Sequence, residues 1–492
     1  MTIALHWFRR DLRLADNTAL TEAQRRADEV VPVFVLDSHL LRREDMGASR
    51  VSFLLESLTL LGRDLEERGS LLLLLEGDPA ARLAELVRAT GAKLVTANRD
   101  HSPYARRRDA AVRRAIEREG ATWLDFKDQL LVEPDECRKD DGAPYTVFTP
   151  FARRWRLIEK ELPQRAPRLR SLSPDLRERL VSQPIPSLGE LGFGLEADIE
   201  PGGERQAKKR LATFVEERLL AYAGDRNAPA LDGTSHLSAH LKFGTISPRR
   251  VYGDVRGAIG DELANLDPAR PPASLGAAER DRLREGGTFL NELCWREFYQ
   301  AILFHFPHVV SGPFRRGFAK LRWPGDDPSL IEAWREGRTG FPIVDAGMRQ
   351  LAQTGWMHNR LRMITATFLT KTLLVDWRVG ERIFLQRLTD GDVAANNGGW
   401  QWCASTGTDA SPYFRIFNPT LQSKKFDPKG EFLRRFIPEL RRIGDELVHE
   451  PWRKPRVLEE IGYPPPCVDY AAQRERALAL LAPFARGSAI SE

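Results

Sequence analysis

Residues Asp390 to Pro419, DGDVAANNGGWQWCASTGTDASPYFRIFNP, gather three acids, paired asparagines, four glycines and a Trp-x-Trp, with no lysine and Arg415 as the one arginine. A solvated loop would carry more charge. A plain hydrophobic core would not carry Asp, Asn and Gln, because buried polar groups need partners. The composition is that of a lined, mostly uncharged pocket for a large polar ligand. Asp390, Asp392 and Asn396 are its polar candidates. An Asp capping a helix start accounts for them equally well, and a metal site would lack oxygen ligands. Trp400 and Trp402 would point in different directions on a helix, so each serves a different neighbour. The chain has 11 Trp, which allows a relay of indoles, although most tryptophans only fill core.

Three further stretches carry chemistry. In FLNELCWREFY, Glu292, Trp295, Arg296 and Tyr299 fall three and four residues apart and share one helix face. An indole can stack a nucleobase, a carboxylate can meet its hydrogen-bonding edge, and a guanidinium can reach a phosphate. The plain alternative is an amphipathic helix with an internal Glu-Arg pair. In TGWMHNRLRMITATF, Trp356, Asn359 and Met363 align at the same spacing, while Arg360 and Arg362 leave that face. An amide on an apolar face needs a partner, which favours a ligand. His358 has no second ligand at i+4 and is expected to be a structural hydrogen-bonder. In GTSHLSAHLKFG, Thr234, Ser235 and Ser238 precede a helical pattern, which suits a phosphate or an ordinary helix cap.

The elements that must position these groups fall into two patterns. Short apolar runs at Ile3–Trp7, Val30–Leu36, Ser70–Glu76, Lys93–Ala97 and Thr122–Phe126 alternate with helical stretches at Asn17–Arg26, Arg50–Arg68, Pro79–Thr90 and Tyr104–Glu119. That alternation predicts an α/β doubly wound parallel sheet over residues 1–130. No Gly-x-Gly-x-x-Gly follows the first strand, so a nicotinamide dinucleotide site is not expected there. Residues 131–205, rich in Pro, Arg and Gly, read as a connector. From 206 to 480 the apolar period becomes helical and predicts a large all-α domain, with 481–492 as a tail.

A chain of 492 residues can bury a large core and is too long for one typical domain. The net charge of +5 permits an anionic partner. Cys137, Cys294, Cys403 and Cys467 lie far apart with no metal-ligand spacing, so neither a disulfide framework nor a metal site is expected, and a reducing cytoplasm fits. Arg9, Arg10 and Asp11 stand where a signal peptide would need apolar residues, and the longest aliphatic run, Leu71–Leu75, is too short to span a bilayer.

Together, HWFRRDLRLADNTAL, GTSHLS, LNELCWREFY, TGWMHNRLRMITATFL and DGDVAANNGGWQWCASTGTDASPYFRIFNP resemble the DNA photolyase/cryptochrome family, in its motif order, from Thr2 to about Pro466. The resemblance is to its class I cyclobutane pyrimidine dimer photolyases. It implies a helical domain that binds FAD, light-driven electron transfer from reduced FAD to a flipped-out pyrimidine dimer in DNA, and return of the electron. Carried over residue by residue, Tyr222, Thr234, Ser235, Leu237 and Ser238 would hold the phosphates and ribose. Arg362 would pair with Asp390, Asp392 would face the isoalloxazine, and Asn396 would sit by its redox-active nitrogen, where a neutral amide tolerates an anionic reduced flavin. His236 stands where an arginine is common, and Phe289 replaces an aromatic that is often Trp. Trp356 and Asn359 complete the cofactor set.

By the same resemblance, Trp295 and Trp402 would flank the extruded bases, Glu292 and Asn359 would bind their polar edges, and Met363 would pack beside them, with Tyr299 on the same DNA face. Arg226, Arg296, Arg360 and Arg415 match phosphate contacts, and Trp400, Trp377 and Trp323 match a photoreducing tryptophan chain. The expected partner is ultraviolet-damaged DNA, single- or double-stranded, met by a monomer without a membrane anchor. SPYARRRD, Ser102–Asp109, lacks the Asn-Glu pair of relatives that bind methenyltetrahydrofolate. It looks more like relatives with 8-hydroxy-5-deazaflavin or a second flavin such as FMN as antenna. The rival is a cryptochrome-type blue-light photoreceptor without repair activity; Asn396, Met363 and Trp402 keep the repair form. The (6-4) enzymes carry a His pair where this chain has Asn359 and Met363.

Overall fold

In the computed structural model of the chain, which describes residues 1–486, five parallel strands form one sheet. They are β1 (Ile3–Phe8), β2 (Glu29–Asp37), β3 (Leu73–Gly77), β4 (Leu94–Asn98) and β5 (Thr122–Phe126), in the order β3-β2-β1-β4-β5. The sequence of β2, EVVPVFVLD, is buried at every position, as a strand covered on both faces must be. Helices Thr18–Arg26, Ala48–Glu66, Pro79–Thr90 and Pro103–Arg118 connect the strands. Their starts are chemical. Asn17, Asp78 and Ser102 accept from main-chain amides of the first turn, and Pro79 and Pro103 supply the first helical residue.

Strand order reverses between β1 and β4, the position where open α/β sheets take ligands. Here the chain's own side chains fill it. Arg9 reaches the Asn98 carbonyl and the Asp109 carboxylate, while Asn98 Nδ2 donates to Asp11 Oδ2 at 2.6 Å and Asn17 Oδ1 at 2.8 Å. Deeper in, Arg13 meets both Asp128 oxygens at 2.7 Å, and Arg249 bridges Asp128 at 2.8 Å and Asp16 at 3.1 Å. Burial works against the ionised Asp128 carboxyl, but the Arg13 and Arg249 guanidiniums outweigh it and hold it below the usual carboxylate range. This quartet ties the sheet to helix Pro248–Ile259. Helix Ser238–Phe243 ends at Gly244, φ 67°, where a Cβ would strike the Arg10 and Asp11 main chain.

Two compact units result. The first comprises Met1–Leu195, Glu200–Tyr222 and Ser235–His305; the second comprises Glu196–Ile199, Ala223–Thr234 and the chain from Phe306. No strand follows β5 among the described residues, and the helical region expected from 206 is divided between the two units. The 131–205 stretch holds a helix that composition hid, Phe148–Leu157. Its Pro150 lies in the first turn, where no helical hydrogen bond is lost, and its Phe151, Ala152 and Trp155 are buried. The second unit holds a large continuous core that includes Trp334, Phe341, Trp377, Trp400 and Phe432, and a small separate cluster of Phe318, Leu321 and Leu481. Of the expected tail, 481–486 continue helix Tyr470–Arg486, and 487–492 lie outside the described residues.

Candidate functional site

In the second unit, the Asp390–Pro419 segment folds around helix Val393–Cys403. Asp392 caps it, accepting from the amides of Ala394 at 3.0 Å and Ala395 at 3.3 Å. Asp390, 8% exposed, takes a two-pronged bond from Arg362 at 3.1 and 2.8 Å. Arg362 Nε donates to the Met357 carbonyl at 2.8 Å, so the guanidinium is held on three sides. The two asparagines divide their roles. Asn397 donates to the Val309 carbonyl and to Glu381 Oε1, both at 2.9 Å, and accepts from buried Gln401 at 2.9 Å. Asn396, half-buried, donates to the Glu381 carbonyl at 3.0 Å, and its Oδ1 has no partner among the described residues.

Arg362 lies on helix Asn359–Thr367, which begins where His358 Nδ1 accepts from the Arg360 amide at 3.1 Å. That cap corrects one expectation. Trp356 precedes the helix, so it does not share a helical face with Asn359, which is exposed, and Met363, which is half-buried. Arg360 does not leave Met363 either: its Nη1 lies 3.7 Å from the Met363 sulfur, its Nη2 reaches Asn227 Oδ1, and its guanidinium covers the Phe426 ring at 4.6 Å.

Trp400 is buried and Trp402 half-buried, so the pair diverges as its spacing predicts. The Trp400 ring meets Phe384 edge-on at 4.9 Å and Trp334 at 6.0 Å. It also lies over Gly380, where a Cβ would collide with it. Trp377, buried, opens the same helix, Trp377–Arg387, and half-buried Trp323 packs against the core that holds both. Gly380, one turn beyond Trp377, is the sequence signal for that close approach.

Lys371 carries no such signal. It sits in a π-helical turn, Phe368–Thr372, at 0% exposure, and donates to the carbonyls of Pro412 at 3.4 Å and Arg415 at 3.2 Å. Burial lowers its ammonium from 10.5 to about 8. The loop it holds presents Phe414, 61% exposed, and Arg415, also exposed. Arg226, half-buried, belongs to this unit, as does Thr234.

In the first unit, helix Ala277–His305 carries Glu292, Trp295, Arg296 and Tyr299 half-buried on one face, with Leu293, Cys294, Glu297 and Phe298 buried on the other. Arg296 donates to the carbonyls of Gln129 at 2.8 Å and Leu241 at 3.4 Å and is thereby anchored to main chain. Trp295 stacks face to face on Phe148. Buried Glu297, which spacing did not single out, accepts from the Trp155 indole at 2.6 Å and the Val132 amide at 3.0 Å; burial raises its carboxyl. Tyr222 meets Phe214 and Phe289 edge-on at 5.7 and 5.3 Å. The expected hydroxyl cap is absent from helix Ser238–Phe243. Leu237 occupies the cap, Ser238 is already helical, and Ser235 Oγ instead accepts from the Leu237 amide at 3.4 Å, after His236 in a left-handed conformation, φ 51°.

The family model described as the FAD binding domain of DNA photolyase matches residues 289–482, and the model described as DNA photolyase matches 4–168. A deoxyribodipyrimidine photo-lyase of Synechococcus sp. is 40% identical over 97% of this chain and 96% of its own length. The chain belongs to the DNA photolyase family. A solved bacterial class III photolyase from Agrobacterium tumefaciens superposes with a TM-score of 0.86 at 37% identity, covering 99% of this chain and 98% of that one. An archaeal photolyase from Sulfolobus tokodaii, solved with two FAD molecules, gives 0.82 at 31%, covering 98% and 100%. A Synechocystis cryptochrome gives 0.84 at 27%, covering 98% and 99%. The fold is therefore shared by repair enzymes and a cryptochrome.

The residues present suit the photolyase flavin. Arg362 and Asp390 neutralise each other, Asp392 is engaged by its helix amides, and the amide of Asn396 has one end anchored and the other available. Such a donor set offers a polar ring system a compensated ion pair and an amide that carries no charge of its own. Among the described residues no cluster could hold a metal ion.

Proposed function

We propose that this protein repairs cyclobutane pyrimidine dimers in DNA under blue light. FAD, when bound, supplies the light-driven electron to the lesion and recovers it after the ring has split. The observation that carries the reading is the neutral, anchored amide of Asn396 together with the self-compensated Arg362–Asp390 pair, within the segment that matches the photolyase FAD domain.

The chain's own residues then divide the work. Tyr222, Thr234, Ser235, His236, Leu237 and Ser238 hold phosphate and ribose, and Phe289 and Trp356 line the cofactor. Asp390, Asp392, Arg362 and Asn396 orient the flavin ring. Glu292 and Asn359 meet the polar edges of the lesion, Trp295 and Trp402 stack its bases, and Met363 and Tyr299 pack beside them. Arg226, Arg360 and Arg415 neutralise phosphates, and Arg296, anchored on main-chain carbonyls, steadies the face it shares with Glu292. Trp400, Trp377 and Trp323 carry electrons to the flavin through one core that ends at a half-buried indole.

The protein is read as a cytoplasmic monomer acting on single- or double-stranded damaged DNA. All four cysteines are free, and no described helix is long and apolar enough to cross a membrane. The first unit takes an antenna, methenyltetrahydrofolate, 8-hydroxy-5-deazaflavin or FMN; the two FAD molecules of the archaeal relative support a second chromophore. The test is an absorption spectrum of the purified protein followed by illumination with a thymine-dimer oligonucleotide. Flavin bands and light-dependent loss of the dimer are expected. A flavin-loaded protein that leaves dimers intact in light would move the assignment to a photoreceptor.

A further inference from the structure

The ring of Phe148 lies on the Trp295 indole with centroids 3.5 Å apart and planes 5° from parallel. Aromatic pairs prefer offset or edge-on contact to a face-to-face sandwich. Something must hold this one, and the surroundings show what. Phe298 meets both rings edge-on, Trp295 at 5.7 Å and Phe148 at 5.8 Å, and Tyr299 leans on Trp295 at 5.6 Å. Phe148 opens helix Phe148–Leu157, and that helix is fastened to helix Ala277–His305 farther along, where Phe151 packs on Phe298 at 5.3 Å and the Trp155 indole donates to Glu297 at 2.6 Å. No other ring stacks parallel on Trp295 among the described residues, and both Trp295 and Phe148 remain half-buried.

We infer that Phe148 is a positioning residue for substrate binding: it backs one face of Trp295 and makes the indole a fixed platform with a single open face for an extruded base. The inference rests on the reading of Trp295 as a base-stacking residue. A free indole loses rotational freedom when a base stacks on it, and one already clamped has less to lose, so the contact tightens binding without touching the ligand. The effect belongs to affinity. Phe148 acts through Trp295, so turnover of bound substrate should be independent of it.

The test uses flavin-loaded protein and a thymine-dimer oligonucleotide, with Phe148→Leu, Phe148→Tyr, Trp295→Leu and the Phe148→Leu/Trp295→Leu double variant. Flavin absorbance reports intact folding in each. Dark binding by fluorescence anisotropy is expected to weaken about tenfold or more in Trp295→Leu and about two- to tenfold in Phe148→Leu. Phe148→Tyr should restore it, and the double variant should bind no worse than Trp295→Leu alone. Repair per photon at saturating substrate should be unchanged in Phe148→Leu. If Trp295→Leu weakens binding while Phe148→Leu leaves it unchanged or tightens it, the ring is inert or occupies the place of the base, and this inference alone falls. If Trp295→Leu binds normally, the base-stacking reading falls and takes the inference with it.

Discussion

In the first unit, one enclosed cluster of ions carries its own counter-ions, although buried Lys160 there meets only the carbonyls of Trp155 and Ile158. Arg13 and Arg249 share Asp128, Arg249 also holds Asp16, and all four side chains are almost wholly enclosed. In the second unit, the interior along helix Val393–Cys403 is held mainly by neutral groups: Asn397, Gln401 and main-chain carbonyls satisfy one another, with Glu381 accepting one further bond from Asn397, and the buried cation nearby, Lys371, meets carbonyls instead of a carboxylate. The first arrangement is a fastening, rigid and chemically silent. The second relies on amide and carbonyl dipoles, which hold the helix in place while adding little charge of their own.

The contrast can be tested from its strongest consequence downwards. Trp400→Phe removes an indole from the neutral core without adding charge. Photoreduction of oxidised FAD should be abolished on the seconds timescale, while repair by chemically reduced protein survives; normal photoreduction in a stopped-illumination assay would show that the electron route lies elsewhere. Asp128→Ala leaves two arginines buried without their shared partner and should lower unfolding free energy by about 3–5 kcal/mol in urea titration. The native Asp128 has a depressed pKa, so its contribution is present above the ordinary carboxylate value of 3.8 and is lost as pH falls through the folded value.

Lys371 should give the same sign in the alkaline range for the opposite reason, since here the fold disfavours the charged form. Its folded pKa is lowered from 10.5 to about 8, so between those values the unfolded chain holds a proton that the folded one has released. Stability should therefore rise with pH across that window, by up to about 3 kcal/mol, and Lys371→Met should erase the rise. A flat profile in the native protein would mean that the ammonium is better compensated than its two carbonyls suggest. The smallest effect is expected at Glu292→Ala, with dimer binding weakened about tenfold and flavin content unchanged. Unaltered binding and repair would remove Glu292 from the substrate face.

Much of this fold is legible in the sequence. Strand β5 and helix Pro79–Thr90 fall on the residues their period predicts, because alternating runs bounded by Asp-Pro and Gly leave little choice. The half-buried face of Glu292, Trp295, Arg296 and Tyr299 follows from helical geometry alone. What escaped depends on contacts distant in sequence. Helix Phe148–Leu157 hid behind Pro150, and its Trp155 is anchored by Glu297, 142 residues away. Trp356 was misplaced by a period extended one turn too far, across a histidine cap that no spacing rule marks. Gly380 gains its meaning only from Trp400, and Lys371 looked like one more basic residue until its enclosure was known.

The tether from Lys371 grips main-chain oxygens of Pro412 and Arg415, never their side chains. The identities of Tyr413, Phe414 and Arg415 are thus decoupled from the footing of the segment that displays them. Substitutions in that exposed stretch can therefore alter what the surface displays there without first having to reinvent the foundation beneath it.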